Sequence, residues 1–288
     1  MRVHHLNCAT MCPPGGALLG GRGLPHRSVR LVCHCLLIEA AAGLVLVETG
    51  LGTDDVRHGR ARHPRFVRTS RPQLDLRETA AHQIEALGFR TTDVRHIVLT
   101  HLDVDHAGGI ADFPDADVHL LEAEWAAATR PGPRGSGDRY RPMQWAHGPR
   151  LQRYSAPTGE RWFGFDCVRQ LRGLDAEVLL VPLQGHTEGH AAVAVRSDRG
   201  WLLHAGDAYF HPARLEGTGR GAPLGLRWFE RRVAHDAALM RANQARLRAL
   251  AQAHGGEVRI FCAHDASEFD RLVETQAWVT SAARASRS

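Results

Sequence analysis

Lysine is missing from this chain of 288 residues, so arginine supplies all 36 of its basic side chains. This absence excludes any mechanism that depends on a lysine nucleophile or a lysine Schiff base. With 31 acidic residues, the formal net charge is +5. The arginines are dispersed and form no long basic tract, which is typical of solvated faces rather than of a nucleic-acid-binding surface. We therefore expect no nucleic-acid partner.

Long apolar runs are also missing from the chain. The longest, AAAGLVLV, is far too short to cross a bilayer, and the opening MRVHHLNCATMCPPGG lacks the basic head and apolar run of a signal peptide. Hydrophobic residues make up 43% of the chain and charged residues 23%, which is ordinary for a globular protein. These observations predict a cytoplasmic protein that has no membrane partner.

The six cysteines match no standard zinc-ribbon or disulfide spacing. Cys33 and Cys35 lie two positions apart in an apolar stretch, so they should share one face of a strand. We expect the cysteines to be buried free thiols, and a redox role is the alternative.

Strand-like and helix-like patterns are mixed along the chain. The segment SVRLVCHCLLIEAAAGLVLVETG predicts two strands around a turn containing Gly43. Further strands are predicted in RHIVLT, ADVHLL, EVLLVPL, AAVAVRS, WLLHAGDA and EVRIFCAHD. Helices are predicted in EAEWAAA, DAALMRANQARLRALAQAHG and SEFDRLVETQAWV. Another helix is predicted in LDLRETAAHQIEALG, with Gly88 as its C-cap and with helical spacing at Leu76, Ala80, Ile84 and Leu87.

Residues 129–160 differ from the rest in being rich in proline, glycine, arginine and aromatic residues. A long irregular stretch within a compact chain is usually either functional or disordered. We interpret it as a lid or a substrate-facing insertion, and a mobile surface loop is the alternative.

Four short motifs follow predicted strands and carry side chains that ligate metals. They are THLDVDH, GHTEGH, AGDAYF and CAHD, and their candidate ligands are His101, Asp103, Asp105, His106, His186, Asp207 and His264. The end of a buried strand holds a ligand rigidly, and imidazole and carboxylate suit zinc, iron or manganese. Seven such groups are enough for two metal ions with positions left open for water.

The order and context of these motifs resemble the metallo-β-lactamase superfamily, from the LVETG strand to the CAHD loop. The resemblance implies a single α/β domain over residues 1–288, an αββα sandwich of two mixed β-sheets flanked by helices. It also implies a dinuclear site at one edge of the sheets. Its ligands by position are His101, Asp103 and His186 for the first ion, Asp105, His106 and His264 for the second, and Asp207 between the two.

The resemblance also implies the chemistry of a metallo-hydrolase. A hydroxide between the two metals attacks a carbonyl or phosphoryl centre, and Asp105 orients the water and shuttles a proton. The chain departs from the family pattern HxHxDH at Asp103, and Glu48 stands where an aspartate is common. Two divalent ions are balanced in charge by three aspartates and a hydroxide, whereas a histidine at position 103 would leave one positive charge. We therefore expect zinc first, with manganese or iron favoured by Asp103.

Within that superfamily the chain looks most like the acyl-homoserine lactonases, which act on a small-molecule lactone or ester. Such enzymes often have a tyrosine shortly after the bridging aspartate, so Tyr209 is a candidate to hydrogen-bond a developing oxyanion, with a packing role as the alternative. Trp125, Tyr140 and Trp145 are expected to form an apolar wall for an acyl chain. A homodimer is possible, because dimers are common among such proteins.

Several rival functions stay open at this point. Within hydrolases they are a thioester hydrolase resembling glyoxalase II and a phosphodiesterase. Outside hydrolases they are an iron-dependent oxidoreductase and a metal-free binding protein. The remaining histidines are interpreted as surface or core residues. His190, which closes GHTEGH, is interpreted as a structural residue or a support for the ligands and not as a ligand itself. His235 is not interpreted as a ligand either, because Asp236 beside it is expected to be a charged residue at the start of a helix.

Overall fold

The computed structural model describes residues 1–20, 24, 26–130, 139–155, 161–168, 171–217 and 221–285, with side chains as far as residue 275. Within them, a six-stranded mixed sheet has its strands in sequence order. These strands are β1 (Arg2–Met11), β2 (Leu31–Ala40), β3 (Gly43–Val47), β4 (Val94–Val98), β5 (Asp117–Leu121) and β6 (Arg150–Tyr154). The first three are antiparallel neighbours, and β3 to β6 are parallel.

A short hairpin and a second mixed sheet follow. The hairpin is β7 (Arg161–Trp162) with β8 (Phe165–Asp166). The second sheet contains β9 (Val178–Pro182), β10 (Ala191–Ser197), β11 (Gly200–His204) and β12 (Val258–Phe261). Their order is β12-β11-β10-β9, with β11 and β12 parallel and the other pairs antiparallel. As a result β9, β11 and β12 all run in the same direction, and their carboxyl ends lie at one edge.

The helices in the described part of the chain lie between these strands. They are α1 (Gly16–Gly20), α2 (Thr53–Arg62), α3 (Pro64–Ser70), α4 (Ala80–Ala86), α5 (Val104–Ala107), α6 (Glu122–Thr129), α7 (Leu224–Val233), α8 (Ala237–His254) and α9 (Ala266–Ala285).

Three apolar layers hold the elements together. Between the sheets, Leu36 and Ile38 of β2 pack in one cluster with Val193 of β10. On the outer side of the first sheet, Ile84 of α4 packs with β4, and on the outer side of the second sheet Leu247 of α8 packs with β9 and β10. The alternation of β2 between two buried layers follows from the two-residue period of a strand. The order helix, sheet, sheet, helix confirms the predicted αββα sandwich.

The helix predicted around residues 74–88 is shorter than its apolar spacing indicates. It begins at Ala80, because Thr79 caps it and its Oγ1 accepts a hydrogen bond from His82 N, 3.3 Å away. The preceding residues Leu76–Glu78 form a 3-10 turn, which leaves Leu76 40% exposed. The helical prediction for Leu76 is therefore wrong. Gly88 does adopt the left-handed φ of +91° expected after a helix end.

The segment 129–160 is more regular than predicted. Residues 131–138 and 156–160 lie outside the described residues, so the lid interpretation stays a prediction for them. Of the remainder, Arg150–Tyr154 forms β6 and extends the first sheet by parallel pairing with β5. The irregular interpretation is therefore wrong for residues 150–154, and the interpretation of the segment as a lid or insertion stays a prediction.

Two other findings concern the surroundings of the site. All six cysteines are free, as predicted, and Cys12 alone among them is only half-buried. Among the described residues, no helix combines the length and the apolar character that a membrane span requires.

Candidate metal centre

The four motifs meet at one edge of the two sheets. THLDVDH follows β4, GHTEGH joins β9 to β10, AGDAYF follows β11 and CAHD follows β12. Because β9, β11 and β12 run in the same direction, their loops emerge together. The short helix α5 carries the last part of THLDVDH into the same place. All seven predicted ligands lie in this cluster, and the histidines among them are at most 3% exposed.

The first candidate metal position is formed by His101, Asp103, His186 and Asp207, whose ligand atoms all lie within 4.8 Å of one another. His186 Nε2 lies 3.1 Å from Asp103 Oδ2 and 3.3 Å from Asp207 Oδ2. His101 Nε2 lies 3.4 Å from Asp103 Oδ2. Ligand atoms on one tetrahedral zinc ion, bonded at ~2.0–2.1 Å, are about 3.3 Å apart. The spacing therefore fits a bound divalent ion.

The second candidate position lies on the other side of Asp207. His264 Nε2 lies 3.1 Å from Asp207 Oδ1, 3.5 Å from Asp105 Oδ2 and 3.2 Å from His106 Nε2. These separations again match those of ligands around one small cation. Asp207 directs Oδ2 to the first position and Oδ1 to the second, which is the geometry of a bridging carboxylate.

Hydrogen bonds donated by the Nδ1 atoms fix which ring nitrogens face the cluster. His264 Nδ1 donates to the Val32 carbonyl, 2.7 Å away, and His106 Nδ1 donates to the Glu48 carboxylate. In the neutral rings both Nε2 atoms are then acceptors, yet they face each other at 3.2 Å. A cation between them resolves this conflict. Such partners orient metal-ligating histidines in proteins generally.

Glu48, which stands where the family commonly has an aspartate, supports two of the candidate ligands through hydrogen bonds. Its φ of +61° is unusual for a residue with a side chain, and it accepts a 2.6 Å hydrogen bond from Thr100 N as well as the one from His106. Thr100 Oγ1 donates to Glu48 Oε2, and His101 Nδ1 in turn donates to Thr100 Oγ1, 2.8 Å away. One carboxylate thereby orients two candidate ligands, which gives a strained backbone position a structural reason.

Buried polar atoms without hydrogen-bond partners also indicate that the cluster suits a cation. His101 Nε2 and Asp207 Oδ1 are buried and have no hydrogen-bond partner, a state that is uncommon and unfavourable in proteins. Although burial acts to lower the pKa of His106 and of His264, Asp207 raises both. The carboxylates therefore draw positive charge into the cluster, and the residues present fit a metal centre.

Comparison with known proteins agrees with this geometry. The family model described as the metallo-beta-lactamase superfamily matches residues 29–264, which include all seven candidate ligands. The chain belongs to the metallo-β-lactamase superfamily. It is 46% identical over 269 residues to a protein of Mycobacterium tuberculosis named a probable metallo-hydrolase, covering 92% of this chain and 80% of that relative. This superfamily member is accordingly a metallo-hydrolase.

Other relatives of this superfamily member are lactonases. It is 29% identical over 129 residues to the N-acyl homoserine lactonase AttM of Rhizobium radiobacter, covering 43% of this chain and 44% of that protein. A solved N-acyl homoserine lactone hydrolase, with N-hexanoyl-L-homoserine at its metal centre, superposes with a TM-score of 0.68 at 18% identity, covering 93% and 95% of the two chains. The dizinc lactonase AidC superposes with a TM-score of 0.59 at 16% identity, covering 91% and 86%. At these identities the solved structures show that the fold is shared.

Arg139 accompanies the carboxylate that replaces the superfamily's usual histidine. Its Nε lies 3.4 Å from Asp103 Oδ1, and its guanidinium also donates to the carbonyls of His186, at 2.6 Å, and Val233. Although burial acts to raise the pKa of Asp103, Arg139 and His101 hold it well below its usual range. Sequence reasoning weighed the charge of Asp103 against the metals and missed this arginine. Its positive charge offsets the negative charge of the extra carboxylate, and the charge balance drawn from the sequence did not include it.

Glu124 joins the two loops of the first position, and sequence reasoning missed it too. Its Oε1 accepts from Leu102 N at 2.9 Å, and its Oε2 accepts from Thr187 Oγ1 at 2.7 Å and Gly189 N at 3.1 Å. A Cβ at Gly189 would lie 2.0 Å from Glu124 N, which explains why the second glycine of GHTEGH carries no side chain. Burial raises the pKa of Glu124 to about 7, although these hydrogen bonds lower it. An acidic residue in the first turn of α6 gives no sequence signal of burial.

Tyr209 does not face the candidate metal positions. Its side chain is fully buried within the core of the second sheet, and its hydroxyl donates to Glu268 at 3.0 Å. The residue two positions after Asp207 points back into the core, because β11 has ended and the chain turns there. This geometry supports the packing role and gives no support to the predicted oxyanion role.

A cavity of about 390 Å³ opens over the cluster, with five of the candidate ligands in its lining. Its apolar walls are formed by Leu19, Phe66, Phe210, Leu226, Phe229 and Val233. The predicted wall residues lie elsewhere. Tyr140 is buried in the core outside the first sheet, and Trp125 and Trp145 pack on that core and on each other, with ring centroids 5.6 Å apart. The prediction for these three aromatics is wrong, because all three side chains pack in or against the core outside the first sheet and none lines the cavity.

The geometry around His190 and His235 agrees with the interpretation that neither histidine is a metal ligand. His190 Nδ1 donates to the Leu183 carbonyl, and its Nε2 accepts from Asp207 N at 3.0 Å, so it supports a ligand loop. Beside His235, Asp236 caps α8, where its Oδ1 accepts from Ala238 N and Leu239 N.

Proposed function

We propose that this metallo-hydrolase cleaves a lactone or ester with an apolar acyl group, as an N-acyl-homoserine lactonase does. The observation that carries the proposal is the position of the candidate metal cluster in the lining of an apolar-walled cavity of about 390 Å³. Such a cavity matches the size and the mixed lining of small-molecule sites. The names of the partial relatives and of the solved structures support the same substrate class.

The proposal assigns two divalent ions to the cluster, with zinc as the first expectation and manganese or iron as alternatives. His101, Asp103 and His186 would hold one ion, Asp105, His106 and His264 the other, and Asp207 both. Divalent ions in such a site supply Lewis acidity, which polarises a carbonyl and acidifies water.

The side chains around the cleft would orient the water molecule and receive the acyl group of the substrate. Asp105 lines the cavity and is 13% exposed, so its carboxylate can orient a water molecule and accept its proton. Phe210 stacks on the ring of His264, with centroids 5.6 Å apart, and it also lines the cavity. Apolar groups there keep bulk water away from the ligands and receive an acyl chain.

Hydrolysis assays combined with metal analysis test the proposal. We expect metal in the purified chain and ring opening of N-acyl-homoserine lactones that is faster for longer acyl chains. Asp207→Asn should abolish turnover and lower the metal content, whereas Asp115→Asn, in an exposed turn before β5, should change neither.

Each rival function has its own outcome in these assays. Preferential cleavage of a thioester or a phosphodiester would move the proposal to another hydrolase class. Iron with oxygen-dependent activity would replace it by a redox function. A chain that binds no metal, even when metal is added, would be a binding protein.

A further inference from the structure

Cys33 lies beside the second candidate metal position, where the superfamily resemblance assigns no ligand. Its Sγ groups with Asp105 and His264, and the three ligand atoms all lie within 4.8 Å of one another. The side chain is 2% exposed. Of the six cysteines, all of which the structure describes, Cys33 alone joins such a group.

The backbone holds Cys33 in this place. It lies in β2, and its N donates to Asn7 Oδ1 at 3.0 Å. Cys33 packs in one apolar cluster with Leu51 and Val104. Val104 directly precedes Asp105, a candidate ligand of the second metal position. Cys35, two residues on, instead packs in the core outside the first sheet with Cys8. The two cysteines on one strand therefore have different surroundings.

A second observation, a buried carboxylate oxygen without a hydrogen-bond partner, is independent of Cys33 and points to a cation at this position. Asp207 Oδ1 is buried without a hydrogen-bond partner and lies 3.1 Å from His264 Nε2. A thiolate sulfur and an imidazole nitrogen bonded to one zinc ion at ~2.3 and ~2.0 Å lie about 3.0–3.7 Å apart when five ligands surround the ion, because neighbouring ligands are then ~90–120° apart. The separation between Cys33 Sγ and its neighbours, which is at most 4.8 Å, has to shrink by at most about 1.8 Å to reach this range.

We propose that Cys33 is a thiolate ligand of the second metal position, in addition to Asp105, His106, His264 and Asp207. The inference rests on the proposed metal-dependent function. Coordination forms a sulfur–metal bond and releases the thiol proton to solvent. A soft sulfur ligand favours zinc, cadmium or cobalt at this position over manganese. The all-oxygen-and-nitrogen first position, with Asp103, then accepts harder ions, so the two positions differ in metal preference.

Cobalt spectroscopy tests the proposal directly. The metal-free full-length chain is loaded with Co²⁺, the bound cobalt is counted, and the absorption spectrum is recorded. We expect a near-ultraviolet sulfur-to-cobalt charge-transfer band in the parent and in Cys35→Ala, the matched control on the same strand. Cys33→Ala should lose that band and keep the visible bands of cobalt. If Cys33→Ala fails to fold, Cys33→Val replaces it.

The outcomes separate this inference from the proposed function. Cobalt binding without a charge-transfer band in the parent overturns the thiolate ligand and leaves the metal-dependent hydrolase standing. A band that persists in Cys33→Ala also overturns it. Failure of the parent to bind any cobalt overturns both.

Competition between metals gives a second readout. We expect Cys33→Ala to lower zinc affinity by at least about 10-fold while manganese affinity changes little. An equal loss for both metals indicates disturbed packing and contradicts sulfur coordination.

Discussion

Asp103 and Arg139 provide a quantitative test of how this centre accommodates a carboxylate in place of a histidine. Arg139 Nε and Asp103 Oδ1 are 3.4 Å apart, and the two side chains are 27% and 16% exposed. Coulomb's law at this distance, with an effective dielectric constant of about 20, gives roughly 5 kcal/mol. Both groups are largely desolvated, and Arg139 keeps two carbonyl partners when the carboxylate is removed. We therefore expect a coupling energy of about 2–4 kcal/mol.

A double-mutant cycle measures this coupling. Asp103→Asn, Arg139→Met and the double variant are unfolded in urea after treatment with a chelator, so that bound metal does not contribute to the free energy of unfolding. The matched control is the Asp117–Arg150 pair, in which Arg150 Nε lies 2.9 Å from Asp117 Oδ1 but the arginine is 56% exposed. Its coupling should be below about 1 kcal/mol and should weaken more in high salt. A coupling for Asp103 and Arg139 no larger than that of the control would refute the argument.

Glu124→Gln leaves one acceptor oxygen for three buried donors, so we expect a loss of about 1–3 kcal/mol of unfolding free energy and weaker metal binding; unchanged metal affinity would contradict its role. Burial raises the pKa of Glu268 from 4.5 to about 7, so the folded chain holds this proton more tightly than the unfolded chain. Unfolding free energy relative to Glu268→Gln should therefore fall by about 3 kcal/mol as pH rises from 4.5 to 7.5; a flat difference in urea unfolding at the two pH values argues against it. Ile84→Ala, in the core outside the first sheet, should cost about 2–5 kcal/mol at unchanged metal content, and reduced metal content would link that core to the site. Chelation should destabilise the parent by about 3–4 kcal/mol if metal was present at 100–1,000 times its dissociation constant, and by much less in Asp207→Asn; equal effects on both proteins would exclude Asp207 as a shared ligand.

Short-range sequence patterns were enough to predict most strands of the two sheets and the helices α4, α6, α8 and α9. The apolar run of β2 and the 3.6-residue periodicity of α8 mark those elements directly in the sequence. The structure also contains elements that the sequence patterns did not predict, namely β1, β6, β7, β8, α1, α2, α3, α5 and α7. In α2, for example, only Asp55 and Gly59 are buried, so no apolar stripe marks the helix. The start of α4 depends on one capping hydrogen bond, which Thr79 Oγ1 accepts from His82 N, and a spacing of apolar residues does not reveal it.

The sequence by itself determined the superfamily resemblance, the sandwich and the seven candidate ligands, because each ligand follows a strand within a short motif whose order along the chain is readable. Tertiary structure alone decided what surrounds them. Arg139 faces Asp103, Glu124 bridges two loops, and Cys33 approaches His264 from a strand 231 positions away in the chain. Tyr209 turns into the core, and Phe66, Phe210 and Phe229 rather than the predicted aromatics wall the cleft. These contacts join residues far apart in sequence, and they depend on where the packing of two sheets places each side chain.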